Sequence, residues 1–296
     1  MVMMPPTAFA ERDLSYAQGA QTRSGRALIR LMENATGRIG LLRRAQGCEL
    51  ALACGANIFD LMVARFGLTL EVAGGALENV PREGPLVMIA NHPYGILDGL
   101  VMGHVLSRTR GNFRILANSV FARAPQVQRH LLPISFDATK EALALNLETR
   151  RHALDYLGQG GAIGVFPGGT VSTGVRPWAR PMDPHWRSFT ARMVAKSGAV
   201  VLPIYFDGHT SRMFQIASHV HSTLRLGLLI QQFRARVDTP VRVVIGKPLG
   251  RDILDPMAKD AKATMDFLRK ATYELAPEPL KSFEAGYEFE DRHKRR

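Results

Sequence analysis

Two stretches of the sequence read as strands buried on both faces: Leu86-Val-Met-Ile-Ala90 and Ala162-Ile-Gly-Val-Phe166. Each is a continuous apolar run without alternation, the pattern of a central parallel strand rather than a half-exposed one. Each is stopped by residues that cannot extend a ladder, Asn91-His92-Pro93 in the first case and Pro167-Gly168-Gly169 in the second. Further strands are predicted at 68–73, 113–117, 131–135, 199–206 and 241–245. Helical patterns fall between them at 98–107, 140–157, 186–196, 212–220, 224–235 and 256–274. Strands alternating with helices predict an α/β fold, a mostly parallel mixed sheet flanked by helices.

An N-terminal amphipathic helical segment precedes this sheet. Residues 1–22 form a polar, loosely held lead, and helices follow at 24–32, 39–44 and 49–66. Seven arginines stand against three acids over 22–66. Arg23, Arg26 and Arg30 fall opposite Ala27, Leu28, Leu31 and Met32, and Arg43 and Arg44 continue the basic face. Such helices fit the headgroup layer of an anionic membrane, and equally a helical hairpin packed on the domain with a solvated polar face. The predicted organisation is a tail with membrane-associating helices (1–66), an α/β domain (67–280) and a polar basic tail (281–296).

The net charge of +12 points to polyanionic partners: lipid headgroups, an acidic carrier protein or nucleic acid. The sequence has no basic-then-apolar leader at its start and no apolar run of membrane-spanning length. Cys48 and Cys54, six apart in the predicted 49–66 helical region, are not placed for a disulfide or a metal pair. Histidines 104, 130, 152, 209, 219 and 221 lack metal-ligand spacing with cysteines or acids, and no metal is expected.

The chemistry concentrates where the two buried strands end. Imidazole takes a proton near neutral pH, and a carboxylate beside it fixes its tautomer. His92 with Asp98 offers that pair; the alternatives are a loop histidine and a helix N-cap. Phe166-Pro167-Gly168-Gly169-Thr170 offers backbone N–H groups to an oxyanion, or is only a tight turn. From Ser172 to Arg192, Arg176, Trp178, Arg180, His185, Trp186, Arg187 and Arg192 interleave basic and aromatic side chains. That mixture fits a membrane interface or nucleic-acid stacking, or a surface loop over packed tryptophans.

Asn91-His92-Pro93 with Asp98 resembles the His-and-Asp block of the glycerol-3-phosphate and lysophosphatidate acyltransferases. Phe166–Thr170 is similar to their Phe-Pro-Glu-Gly-Thr block, and Val201-Leu202-Pro203-Ile204 to their later apolar-Pro-apolar block. All occur in the family's order, over roughly 70–250. The C-terminal half looks most like a bacterial branch of lyso-aminolipid O-acyltransferases. The resemblance implies that His92 is the general base, that Asp98 orients it, and that no cofactor is needed. The acyl donor would be a thioester of acyl carrier protein or CoA, and the acceptor a lysolipid hydroxyl. The implied substrate-binding residues are Asn91, Asn118, Arg123, Phe166, Pro167, Gly168, Gly169 and Thr170. The implied location is peripheral, on the cytoplasmic face of the inner membrane.

The sequence also departs from the family. Five residues, not four, separate His92 from Asp98; Gly168 replaces the family's Glu, and Val171 replaces the Arg that often follows Thr. Those two side chains are associated with glycerol-phosphate acceptors. Their loss favours another headgroup, such as that of lyso-ornithine lipid or another lyso-aminolipid, over the alternative acceptor, lysophosphatidate. A nucleic-acid-binding protein and a catalytically dead lipid-binding scaffold are the readings from other classes.

Overall fold

A computed structural model describes residues 14–20, 22–119, 125–135 and 139–289. The strands are β1 (Thr69–Gly74), β2 (Leu86–Ala90), β3 (Phe113–Asn118), β4 (Leu131–Ile134), β5 (Ala162–Val165), β6 (Val200–Phe206) and β7 (Pro240–Ile245). They form one sheet in the order β1-β7-β6-β2-β5-β3-β4. β6, β2, β5, β3 and β4 run parallel, β7 is antiparallel to β6, and β1 is parallel to β7. The sheet is therefore mixed and mostly parallel, with β2 and β5 side by side at its centre, as their unbroken apolar runs require.

Side chains of β2 alternate between two cores. Leu86, Met88 and Ala90 face one, with Val101, Met102, Val105 and Leu106 of α5 (Ile96–Thr109). Val87 and Ile89 face the other, with Ala153 and Leu157 of α7 (Lys140–Gly158), Met193 and Val194 of α8 (Ser188–Ser197), and Leu268 of α12 (Ala261–Tyr273). The result is a helix–sheet–helix sandwich. The remaining helices are α1 (Arg23–Thr36), α2 (Arg38–Ala45), α3 (Glu49–Ala53), α4 (Ile58–Arg65), α6 (Pro125–Gln128), α9 (Arg212–Val220), α10 (Ser222–Arg234) and α11 (Arg251–Leu254).

The front end differs from its sequence reading. The 49–66 helix is two helices broken at 54–57, with Asn57 capping α4 through the Phe59 N–H. Cys48 and Cys54 are both free, one buried and one exposed. The apolar sides of α2 and α4 (Leu41, Leu42, Phe59, Met62 and Val63) belong to the same core as β2, β6 and β7. These five side chains are covered by protein, while Ile39 of α2 is 47% exposed. Arg44 is engaged in an exposed ion pair with Asp238 at 2.6 Å. Along α1, Ile29 and Glu33 point inward, while Leu28 and Leu31 lie exposed on the outside.

Residues 14–20 are not a loose lead. Arg38 donates from Nε to the Leu14 carbonyl, and buried Glu33 accepts from Ser15 Oγ and from the Tyr16 N–H, both at 2.6 Å. Burial pushes the Glu33 carboxyl above its ordinary range, against these two donors that hold it down. The far end, from Ser282 to Phe289, also lies on the body. The Gly286 and Tyr287 N–H groups donate to the Asp183 and Thr173 carbonyls, and Glu288 pairs with Arg187 at 2.8 Å.

Phe59 joins the N-terminal helices to the sheet through ring contacts with Phe113 and His130. Phe59→Ala is expected to lower unfolding free energy by about 3–5 kcal/mol. Urea unfolding followed by circular dichroism should still give one transition, because α4 shares the central core.

Candidate active site

Connections leave β2 and β5 in opposite directions. β2 leads through α5 on one face to β3, and β5 leads through α8 on the other face to β6. A parallel sheet opens a crevice where adjacent strands part company in this way. The register pairs Ile89 with Val165, so the loops at 91–95 and 166–171 emerge at the same level.

In the first loop, one carboxylate oxygen organises everything. Asp98 is the third residue of α5 and is fully buried. Its Oδ2 accepts from the Tyr94 N–H at 2.7 Å, the Gly95 N–H at 3.0 Å and His92 Nδ1 at 2.9 Å. The capping and orienting roles are thus one role, performed by the same atom. Three donors favour its charged form, while burial pushes the carboxyl above its ordinary range. Gly95 absorbs the fifth intervening residue. Its φ of +79° suits glycine, and a Cβ there would lie 2.8 Å from Tyr16 Oη, the group that accepts the Ile96 N–H. With Nδ1 donating to the carboxylate, Nε2 is left as the acceptor nitrogen. The ring is 19% exposed and stacks on Phe166, with centroids 4.3 Å apart.

The second loop is tied to the first by Asp183, a residue without a motif to mark it. Its buried Oδ1 accepts the His92 N–H at 3.2 Å and the Ser172 hydroxyl, and Oδ2 accepts Trp186 Nε1 at 2.8 Å. The Ser172 N–H donates in turn to the His92 carbonyl at 2.8 Å. Gly168 makes room for this carboxylate: a Cβ there would lie 3.2 Å from Asp183 Cβ, Cγ and Oδ2. The Gly169 N–H is engaged with the Phe166 carbonyl at 3.0 Å. Among the described residues, the N–H groups of Gly168, Thr170 and Val171 have no protein acceptor, whereas that of Gly169 does.

A cation stands at this loop although residue 171 is valine. Arg225 of α10 is buried and donates through Nη2 to Thr170 Oγ1 and the Val171 carbonyl, and through Nη1 to Thr173 Oγ1 and Ser218 Oγ. Its plane lies between Phe214 and Phe289. All four acceptors are neutral, and burial without a carboxylate pushes its pKa down.

Other expected residues are placed differently. Asn91 is not free for substrate: both ends of its amide bond the backbone of Phe206, at 2.7 and 2.9 Å, tying β2 to β6. Pro167 is buried, its carbonyl accepting the Arg187 N–H. Asn118 ends β3, separated from β2 by β5. Arg123 lies outside the described residues. Tyr16, Asp183 and Arg225 were not singled out by sequence; only the scarcity of acids around Asp183 marks any of them.

Residues 72–207, which contain both loops and Asp183, match the Acyltransferase family model. The stretch that holds both loops is therefore similar to the acyltransferases of that family. The chain is similar to the lyso-glycine lipid O-acyltransferase of Phocaeicola vulgatus, 23% identical over 75% of this chain and 78% of that protein. The protein of the same name from Bacteroides thetaiotaomicron is 24% identical over 75% of this chain and 80% of its own length. Among solved structures, the 1-acyl-sn-glycerophosphate (LPA) acyltransferase PlsC of Thermotoga maritima aligns over 88% of this chain and 83% of that one. Its identity is 15% and the TM-score 0.44.

Asp183→Asn keeps the shape but replaces one acceptor oxygen by a donor, leaving one of the three N–H or O–H partners unpaired. Stability should fall by about 1–3 kcal/mol in urea unfolding.

Proposed function

We propose that this chain transfers a fatty acyl group from a thioester of acyl carrier protein or CoA to the hydroxyl of a lyso-aminolipid, with His92 as general base. The observation that carries this reading is the Nδ1–Oδ2 pair of His92 and Asp98 at the crevice of an acyltransferase domain. His92 Nε2 takes the proton from the acceptor hydroxyl as its oxygen attacks the thioester carbonyl carbon. The tetrahedral oxyanion is received by the free N–H groups of Gly168, Thr170 and Val171. Collapse breaks the carbon–sulfur bond, and the leaving thiolate takes the proton back from the imidazolium. The products are an ester and a thiol.

The headgroup preference has two supports. Both curated relatives are named for a lyso-glycine lipid. Arg225 holds a buried positive charge one hydroxyl away from the cleft, with Thr170 Oγ1 accepting from it at 2.9 Å. The Thr170 hydroxyl hydrogen is then free to donate to an anion, such as the carboxylate of an aminoacyl headgroup. The same charge also fits a phosphate, which keeps lysophosphatidate as the second reading. The work is done peripherally, at an anionic cytoplasmic membrane surface; no helix among the described residues is long and apolar enough to cross one.

His92→Ala should lower kcat by about 10²–10⁴ with retained fold, and Asp98→Asn by about 10⁴, because an amide at 98 selects the wrong imidazole tautomer. Side-by-side acyl-transfer assays on lyso-glycine lipid, lyso-ornithine lipid and lysophosphatidate decide the acceptor. Preference for lysophosphatidate would overturn the aminolipid reading. Arg225→Gln is expected to raise KM for an acid-bearing acceptor more than for its methyl ester.

A further inference from the structure

Helix α9 is apolar on both sides. Its inner side buries Phe214 and Ala217 together with the polar Gln215 and Ser218. Gln215 accepts the Gly174 N–H and donates to the Thr210 hydroxyl and the Ser172 carbonyl, and His219 bonds the Gly174 carbonyl at 3.0 Å. The outer side carries Met213, Ile216 and Val220, spaced three and four apart and 50%, 41% and 67% exposed. A helix against water keeps its outward stripe polar; α9 presents an apolar one.

The stripe does not stand alone. Arg212 at its head donates to the carbonyl of Trp178, a tryptophan 70% exposed. At its tail, the turn at His221 borders a groove of about 410 Å³ shared with Thr22, Gly25 and Leu28 of the α1 start. Leu28, 45% exposed, carries apolar surface from that groove onto α1. Isolated exposed apolar residues are ordinary, but a band of this kind marks a contact surface. Arginines flank it: Arg176, Arg180 and Arg212 at the Trp178 end, and Arg23 on α1 at the other. Between Asp155 and Asp238 the chain has two acids, Asp183 and Asp207, against eight arginines and one lysine. Asp183 is buried.

We propose that this band, Trp178 with the outer sides of α9 and α1, is the surface that docks on an anionic lipid bilayer. Tryptophan, aliphatic side chains and flanking arginines are what a headgroup layer accepts. An acidic carrier protein would meet the arginines but leave the aliphatic centre uncovered, so the bilayer is the better fit. The consequence concerns the site. α9 is bonded through Gln215 to the loop of Ser172, whose N–H holds the His92 carbonyl. One helix diameter, about 10–12 Å, therefore separates the membrane face from the loop that orients the base. This inference rests on the lipid-acceptor reading, and goes further by assigning the contact to α9 rather than to α2 or the arginines of 43–44.

The test uses the full chain and vesicles of phosphatidylglycerol mixed with phosphatidylcholine. The chain has two tryptophans, of which Trp186 is buried and Trp178 is not, so the emission change reports the proposed face directly. Binding should shift emission to the blue, and bromine-labelled acyl chains should quench it. Ile216→Asp and Met213→Asp should each weaken vesicle binding more than tenfold, while acyl transfer to an acceptor dispersed as monomers in solution stays unchanged. Wild-type binding by both variants would overturn the proposal, as would co-sedimentation without any change in Trp178 emission. Normal vesicle binding with a raised KM for acyl carrier protein would also overturn it, and give the patch to the carrier. Loss of transfer to monomeric acceptor in the wild-type protein would instead count against the function proposed above.

Discussion

A single oxygen, Asp98 Oδ2, sets the geometry on which this site depends. It receives two backbone N–H groups and one imidazole nitrogen. The backbone bonds start α5 and place a negative charge at a helix N-terminus, where the aligned peptide dipoles favour it. The imidazole bond then fixes the His92 ring relative to that helix. Because helix start and imidazole share one acceptor, the spacing between His92 and Asp98 is set by loop shape and not by residue count. Five residues reach as well as four when one of them, Gly95, takes a conformation that other side chains rarely adopt.

Asp183 does for the pair of loops what Asp98 does within one. It collects donors from the His92 backbone, Ser172 and Trp186, and occupies the space that a side chain at residue 168 would need. A carboxylate thus sits beneath the Phe166–Thr170 loop although the loop itself has none. Arg225 likewise brings a cation to a loop that has valine at 171. Charges absent from a motif by sequence have been delivered to it by chain remote from it.

This is also where the sequence stopped being legible. The central strands were readable because burial on both faces leaves a composition no other element shares, as at 86–90 and 162–166. The His92–Asp98 pair was readable because it is local. Asp183, 91 residues from its bonding partner His92, has no periodic or spacing signal, nor does Arg225, which reads as one polar residue in an amphipathic helix. The orientation of α1 was obscured for a related reason: Ile29 and Glu33 were drawn inward by Ser15 and Tyr16, a contact with no trace in helical periodicity. Asn91 read as a site residue by adjacency, while the backbone of Phe206, 115 residues on, had already taken its amide.

Both ends of the described chain finish at the same crevice. Tyr16 holds the start of α5 from the N-terminal side, and Gly286 and Tyr287 hold the Asp183–Thr173 loop from the C-terminal side. During synthesis, the central strands and the His92 loop emerge long before residue 287 does. The growing polypeptide therefore carries His92 and Asp98 early but lacks this clasp on the loop opposite them until residue 287 has been made.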